Sequence, residues 1–224
     1  MVRSSASLED LSMLLHFNVA HLVATCPCLM WGVMAMATAV DFEADATGSP
    51  PEGWTTGVTG KGNPKWTVET DRTAPAGTKV LVQSGSGTFP WAVRKDAVMR
   101  DGTVEVKFKP AAGKEDEAGG LVWRWKDENN YYIARANALE GNVSLYYTVN
   151  GRRNTIKYVD APVTKDARHA LRVDFRGTRI TVSFDGRTYI QVDDAHIAGP
   201  GAAGVWTRAD SVTAFAEFRY DGQP

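Results

Sequence analysis

Cysteine is confined to one short stretch of this sequence. Both residues, Cys26 and Cys28, lie near the N-terminus, so anything folded from residue 40 onward has neither a disulfide nor a cysteine metal site. Histidine is scarce as well. Of the four in the chain, only His169 and His196 lie beyond residue 40. Two imidazoles without a nucleophile beside them define neither a catalytic triad nor a zinc site. An excess of charge is also absent: 25 basic residues stand against 26 acidic ones, for a net charge of −1. That balance excludes nucleic acid as the main partner, which would draw a clear surplus of Lys and Arg. No long window places apolar residues at helical spacing, and no segment repeats.

What is present begins with an apolar run from Leu11 to Ala39, interrupted by His16, Asn18 and His21. It ends in Ala37-Thr38-Ala39, the small-x-small pattern that signal peptidase reads. The segment reads as a signal peptide over residues 1–39, cleaved after Ala39, with translation from Met13 as an alternative start. The expected location is secreted, periplasmic or otherwise extracytoplasmic. An apolar stretch of about 20 residues also suffices to span a bilayer, so a membrane becomes a partner if the leader stays uncleaved. The leader carries one base and two acids, which leaves the remainder with 24 of each. With 224 residues in all, 43% of them hydrophobic, the chain has room for one sizeable core rather than two.

From residue 40 to 224 the sequence reads as short strands parted by turns. Thr103 to Lys109 alternates Val104, Val106 and Phe108 with Glu105, Lys107 and Lys109, the period of a half-buried strand. Gly120 to Lys126 and Tyr131 to Arg135 form a hairpin across Asp127-Glu128-Asn129-Asn130. Pairing Lys126 with Tyr131 puts Leu121, Trp123, Trp125, Tyr132 and Ala134 on a core face. Val122, Arg124, Lys126, Tyr131, Ile133 and Arg135 then fall on the other face. Asn142 to Val149 turns at Asn150-Gly151, a two-residue hairpin signal because both residues tolerate positive φ. Asp185-Gly186 repeats that signal between Arg179–Phe184 and Thr188–Val192. About a dozen strands at a spacing near ten residues argue for an all-β sandwich or barrel.

Several blocks carry a family likeness. Gly119-Gly120-Leu121-Val122-Trp123-Arg124-Trp125, Asn129-Asn130-Tyr131-Tyr132, Val149-Asn150-Gly151, His169 to Val173, Phe184-Asp185-Gly186 and Gly204 to Phe215 together resemble the concanavalin A-like lectin/glucanase superfamily. Within it they are similar to the laminin-G-like group that includes bacterial 3-keto-disaccharide hydrolase-type domains. The resemblance spans roughly residues 40–220. It implies an antiparallel jelly-roll sandwich of two sheets, one of them concave and able to hold a sugar chain. The chain departs from the family near its end, where Phe215-Ala216-Glu217-Phe218 leaves one acid in place of two.

Retaining glycoside hydrolysis needs two carboxylates about 5–5.5 Å apart, and family 16 enzymes of this fold set them on alternate positions of one strand. Glu115-Asp116-Glu117 is contiguous and reads as a solvated loop, and Asp193-Asp194 is adjacent in the same way. Sugar recognition instead needs aromatic faces and fixed polar groups. The expected ligand-contacting residues are therefore Arg124, Lys126, Tyr131 and Arg135, extended by Trp91, Arg94 and Tyr146. Trp123, Trp125, Tyr132 and Trp206 are expected in packing, and no residue is assigned a catalytic role. No cofactor is required. Calcium is the one ion the resemblance implies, with Glu43, Asp210 and Glu217 as its candidate carboxylates. The sequence points to a monomer binding oligo- or polysaccharides through the concave sheet. The alternatives are a glycoside-cleaving enzyme of the 3-keto-disaccharide hydrolase type and a cell-surface protein-interaction domain.

Overall fold

The computed structural model describes residues 37–223. The leader expected over residues 1–39 lies outside these except for its last residues, and Thr38 and Ala39 sit in the first strand. The strands run in chain order β1 (Thr38–Val40), β2 (Trp54–Asn63), β3 (Trp66–Thr70), β4 (Lys79–Gln83), β5 (Ser86–Met99), β6 (Asp101–Ala112), β7 (Ala118–Asp127) and β8 (Asn130–Asn137). They continue as β9 (Asn142–Val149), β10 (Arg152–Asp160), β11 (His169–Arg176), β12 (Arg179–Phe184), β13 (Arg187–Asp193), β14 (Gly201–Trp206) and β15 (Val212–Gln223). Among the described residues no helix is long and apolar enough to cross a membrane.

Two antiparallel sheets form the sandwich expected from the alternating pattern. The eight-stranded sheet has the order β13-β12-β11-β6-β15-β4-β3, with β1 also paired to β15. The seven-stranded sheet has the order β10-β9-β8-β7-β14-β5-β2. Val104, Val106 and Phe108 of β6 meet Leu121 and Trp123 of β7 and Tyr132 and Ala134 of β8 in the shared core. Trp123 stacks on Tyr132 at 5.3 Å between ring centroids. Both two-residue hairpins form as the sequence predicts: Asn150 and Gly151 have φ of 51° and 74°, and Asp185 and Gly186 have φ of 46° and 77°. Positive φ at both central positions matches the twist of the strands they join.

The seven-stranded sheet curls. β2 and β8 are separated by β5, β14 and β7, yet Thr59 of β2 donates to the Glu128 carbonyl and accepts from the Tyr131 hydroxyl. The face turned away from the sandwich core is therefore concave, and its own side chains close over it. Trp91, Val93, Val122, Tyr131, Ile133, Tyr146 and Trp206 form a second buried cluster there. Two glycines make the packing feasible. A Cβ at Gly57 would stand 2.5 Å from the Trp91 ring, and one at Gly120 would stand 2.8 Å from the Ala134 carbonyl and 3.2 Å from the Trp206 ring.

Candidate functional site

The hairpin of β7 and β8 decides what reaches the concave face. Asp127 pairs with Asn130, but Trp123 already pairs with Tyr132, so the ladder shifts between Trp123 and Asp127. Arg124 sits in this bulge at φ 47°. A bulge inverts the alternation beyond it, and two expectations fail for that reason. Trp125, expected in the core, packs instead beside the concave cluster, 5.2 Å from Trp91 between ring centroids. Arg124, expected on the concave face, turns inward. Its guanidinium donates to the carbonyls of Arg100, Gly177 and Ile197 and lies 5.5 Å from the Phe175 ring. It ties three loops together at one end of the sandwich.

Lys126 follows the bulge away from the site, with Nζ bonded to the Pro200 carbonyl. Burial, then the charges of Arg124 and Arg100, lower its pKa. Arg94 is also elsewhere. It is paired with Asp96 at 2.7 Å and lines a depression beside Thr38–Asp45 and Gly53. Of the seven residues expected to contact ligand, the structure brings together Trp91, Tyr131, Arg135 and Tyr146, all nearly or fully buried. Burial pushes the Tyr146 phenol up to about 12, and its hydroxyl donates to Tyr158 at 2.9 Å. These four are the floor of the face rather than its contact surface.

The accessible surface is set by Trp91, expected there, by Trp125, expected in the core, and by turn residues outside the seven. Trp91 and Trp125 form the base of an open pocket of about 620 Å³ whose rim is Asp127, Glu128, Asn129, Asn130 and Asn150. The rim is pre-organised by its own hydrogen bonds. The Asp127 carboxylate accepts from the Asn129 amide N–H at 2.7 Å and from the Asn130 side chain at 2.8 Å. Asn150 N–H donates to Asn130 Oδ1, and Gly151 N–H donates to the Asn129 carbonyl, so the β7–β8 and β9–β10 turns brace each other. Two indoles below fixed amides and a carboxylate can stack on the C–H face of a sugar and bond its hydroxyls.

A charged network occupies another part of the concave face. Asp116, expected in a solvated loop, is fully buried, as is Arg135. The cause is Asp210, whose carboxylate gathers the N–H groups of Lys114, Glu115 and Asp116 and turns Asp116 inward. Burial raises the Asp210 carboxyl, but those amides outweigh it and hold the group below its ordinary range. Asp116 accepts from Arg135 at 3.2 Å, Arg208 at 3.1 Å and Asn137 at 2.7 Å. Glu140 also accepts from Arg135 and lies 3.9 Å from Arg208. Burial raises the Asp116 carboxyl, and the two guanidiniums offset this only in part. Two carboxylates thus converge, but both are held by the same guanidiniums, and Asp116 has no surface to offer a substrate.

The carboxylates weighed for calcium are spent separately. Glu43 accepts from the Thr78 and Lys79 amides, Asp210 from the loop just described, and Glu217 from Lys107 and Arg219. No group of three His, Cys, Asp or Glu able to hold a metal ion occurs among the described residues. His169 bonds Asp185 at 2.7 Å and packs on Phe184, and His196 stacks on Tyr147.

The family model of the beta xylosidase C-terminal concanavalin A-like domain matches residues 91–207, the stretch that holds Trp91, the bulged hairpin and Trp206. No curated protein matches the chain by sequence. Solved structures share its fold. The carbohydrate-binding module CBM66 from Bacillus subtilis has a TM-score of 0.62 at 22% identity, covering 75% of this chain and 96% of that one. A glycoside hydrolase family 16 endo-glucanase from Bacteroides ovatus has a TM-score of 0.59 at 9% identity, covering 82% and 99%. A prokaryotic beta-1,3-1,4-glucanase from a mouse hindgut metagenome has a TM-score of 0.56 at 12% identity, covering 84% and 99%.

Proposed function

This chain belongs to the family of beta xylosidase C-terminal concanavalin A-like domains, and from that premise we propose that it is an exported carbohydrate-binding domain that holds glycans on the concave face of its seven-stranded sheet. The observation that carries this reading is the pocket over Trp91 and Trp125 with its braced rim of Asp127, Asn129, Asn130 and Asn150. A flat aromatic base takes the apolar side of a pyranose ring, and groups held by their own hydrogen bonds lose little entropy when they bond its hydroxyls. The module from Bacillus subtilis named above, a carbohydrate binder of the same fold, supports the reading by likeness of architecture. Export is supported by the apolar leader that ends in Ala37-Thr38-Ala39. A monomer is the expected state, and a polysaccharide rather than a nucleic acid is the expected partner of a chain so evenly charged.

Titration calorimetry against neutral β-linked gluco- and xylo-oligosaccharides tests it. Trp125→Ala removes the accessible half of the base without touching the sandwich core. We expect it to weaken binding at least tenfold, about 1.4 kcal/mol, with an unchanged circular dichroism spectrum. Equal affinity in the variant removes this pocket as the site. No binding by the wild type to this panel, nor to charged oligosaccharides tested beside it, overturns the reading.

A further inference from the structure

One cation on the concave face has no counter-charge among the described residues. Arg153, on β10, lies with its guanidinium 4.3 Å from the Tyr146 ring centroid, 4.7 Å from Phe89 and 5.8 Å from Trp206. Among the described residues its side chain makes no ion pair and no hydrogen bond, and Nη1 is buried without an acceptor. Burial depresses its pKa, the Tyr146 phenol opposes this, and the neighbouring Arg208 and Arg135 depress it further. A guanidinium nevertheless stays charged at any physiological pH.

The charges around it do not cancel. Apart from Asp127 and Glu128 on the pocket rim, the network around Arg153 holds three guanidiniums, Arg135, Arg153 and Arg208, against two carboxylates, Asp116 and Glu140. Both acids are committed to Arg135 and Arg208. The surplus positive charge is the one on Arg153. Attraction to aromatic rings offsets only part of what a half-buried cation loses in hydration. The remaining polar hydrogens form a planar fork whose natural complement is a carboxylate. Of the rings around it Tyr146 and Trp206 are buried and Phe89 is partly exposed, so Phe89 is the ring beside Arg153 that a sugar could stack on.

We propose that Arg153 reads an acidic group on the bound glycan, and that the ligand class of the concave face is a carboxylated sugar, a hexuronic acid unit within an oligosaccharide. This rests on the glycan-binding reading above and names its ligand. The chain's net charge of −1 means the selectivity comes from this one local cation, not from a general attraction to polyanions.

Calorimetry with the full protein compares a hexuronate oligosaccharide, the same oligosaccharide with its carboxyl groups reduced to alcohols, and a sulfated neutral oligosaccharide. The uronate is expected to bind at least tenfold tighter than its reduced form. Arg153→Gln should abolish that preference while leaving affinity for the reduced form within twofold, and its melting temperature should be unchanged or higher because an unanswered charge is gone. A structural role would instead lower the melting temperature and leave the preference intact, which overturns the proposal. Equal binding of uronate and reduced form by the wild type overturns it too. Tighter binding of the sulfated ligand overturns the carboxylate assignment. If the reduced form binds and Trp125→Ala weakens it but no preference exists, only the acidic-sugar inference falls. If no ligand binds, the glycan-binding reading falls with it.

Discussion

The two outward faces of the sandwich are built from strands of similar alternating pattern and end up with opposite characters. On the eight-stranded sheet, Arg172 pairs with Asp174 and Glu105, Lys107 and Arg219 share Glu217, and Lys109 and Arg168 share Asp71. Each of these cations has its acid, and most of the side chains remain partly in water. On the concave face of the seven-stranded sheet, rings take the place of solvent, and the Arg153 guanidinium has no ion-pair partner among the described residues. The first arrangement is what a solvated surface needs, since exposed pairs contribute little and balance keeps the protein soluble. The second withholds water from aromatic and charged groups alike, a condition that the proposed binding role would use. The difference lies in what closes over each face: the charges of the eight-stranded sheet stay largely in water, whereas the curled sheet packs its own side chains against each other.

The contrast breaks most visibly if the concave cluster is hollowed out. Trp206→Ala deletes a fully buried ring from that cluster and should lower unfolding free energy by about 3–5 kcal/mol in urea titration. A loss below about 1 kcal/mol would mean that this face is a surface and not a second core.

Asp71→Asn tests the paired face with a smaller effect. The Asp71 carboxyl is pushed up by burial but pulled well below its ordinary range by Thr73 and Lys109. A depressed carboxyl stabilises the fold above its unfolded pKa of about 3.9 and loses that contribution as pH falls through the lower folded value. The variant should therefore be less stable by about 1 kcal/mol at pH 7, and the gap to wild type should close progressively below about pH 4. A gap that stays constant with pH would show that the charge of Asp71 is not what matters.

The smallest change is expected from Arg172→Ala, whose guanidinium is 45% exposed. It should cost at most about 0.5 kcal/mol and leave glycan binding unaltered. A larger loss would place structural weight on the solvated face and weaken the comparison.

Much of the fold is legible in the residues themselves. Alternation in Thr103 to Lys109 names the core side of β6, and Asn150-Gly151 and Asp185-Gly186 name two turns whose φ values the structure shares. The site is less legible. Asp127 meets Asn130 at the turn, in the register that pairing Lys126 with Tyr131 implies, but the next pair is Trp123 with Tyr132 and the ladder shifts between them. Nothing in the tripeptide Trp123-Arg124-Trp125 marks a bulge, because its cause is the set of carbonyls on Arg100, Gly177 and Ile197 that capture the guanidinium from three distant loops. Asp116, expected in a solvated loop, is buried for a similar reason. The carboxylate that turns it inward belongs to Asp210, 94 residues away.

What the sequence alone determined is the part of the protein written in local periodicity and turn chemistry: strands with one apolar side, hairpins where two residues accept positive φ, and a domain that folds without disulfides. Tertiary structure decided which side chains meet on the concave face. Trp125 reached the pocket because a bulge inverted the alternation, and Thr59 met Tyr131 because the sheet curled. Among the described residues Arg153 has no ion-pair partner, because Asp116 and Glu140 of the same network are held by Arg135 and Arg208. Periodicity governs which way a side chain points from its own strand, but not which distant group it meets when the sheet closes.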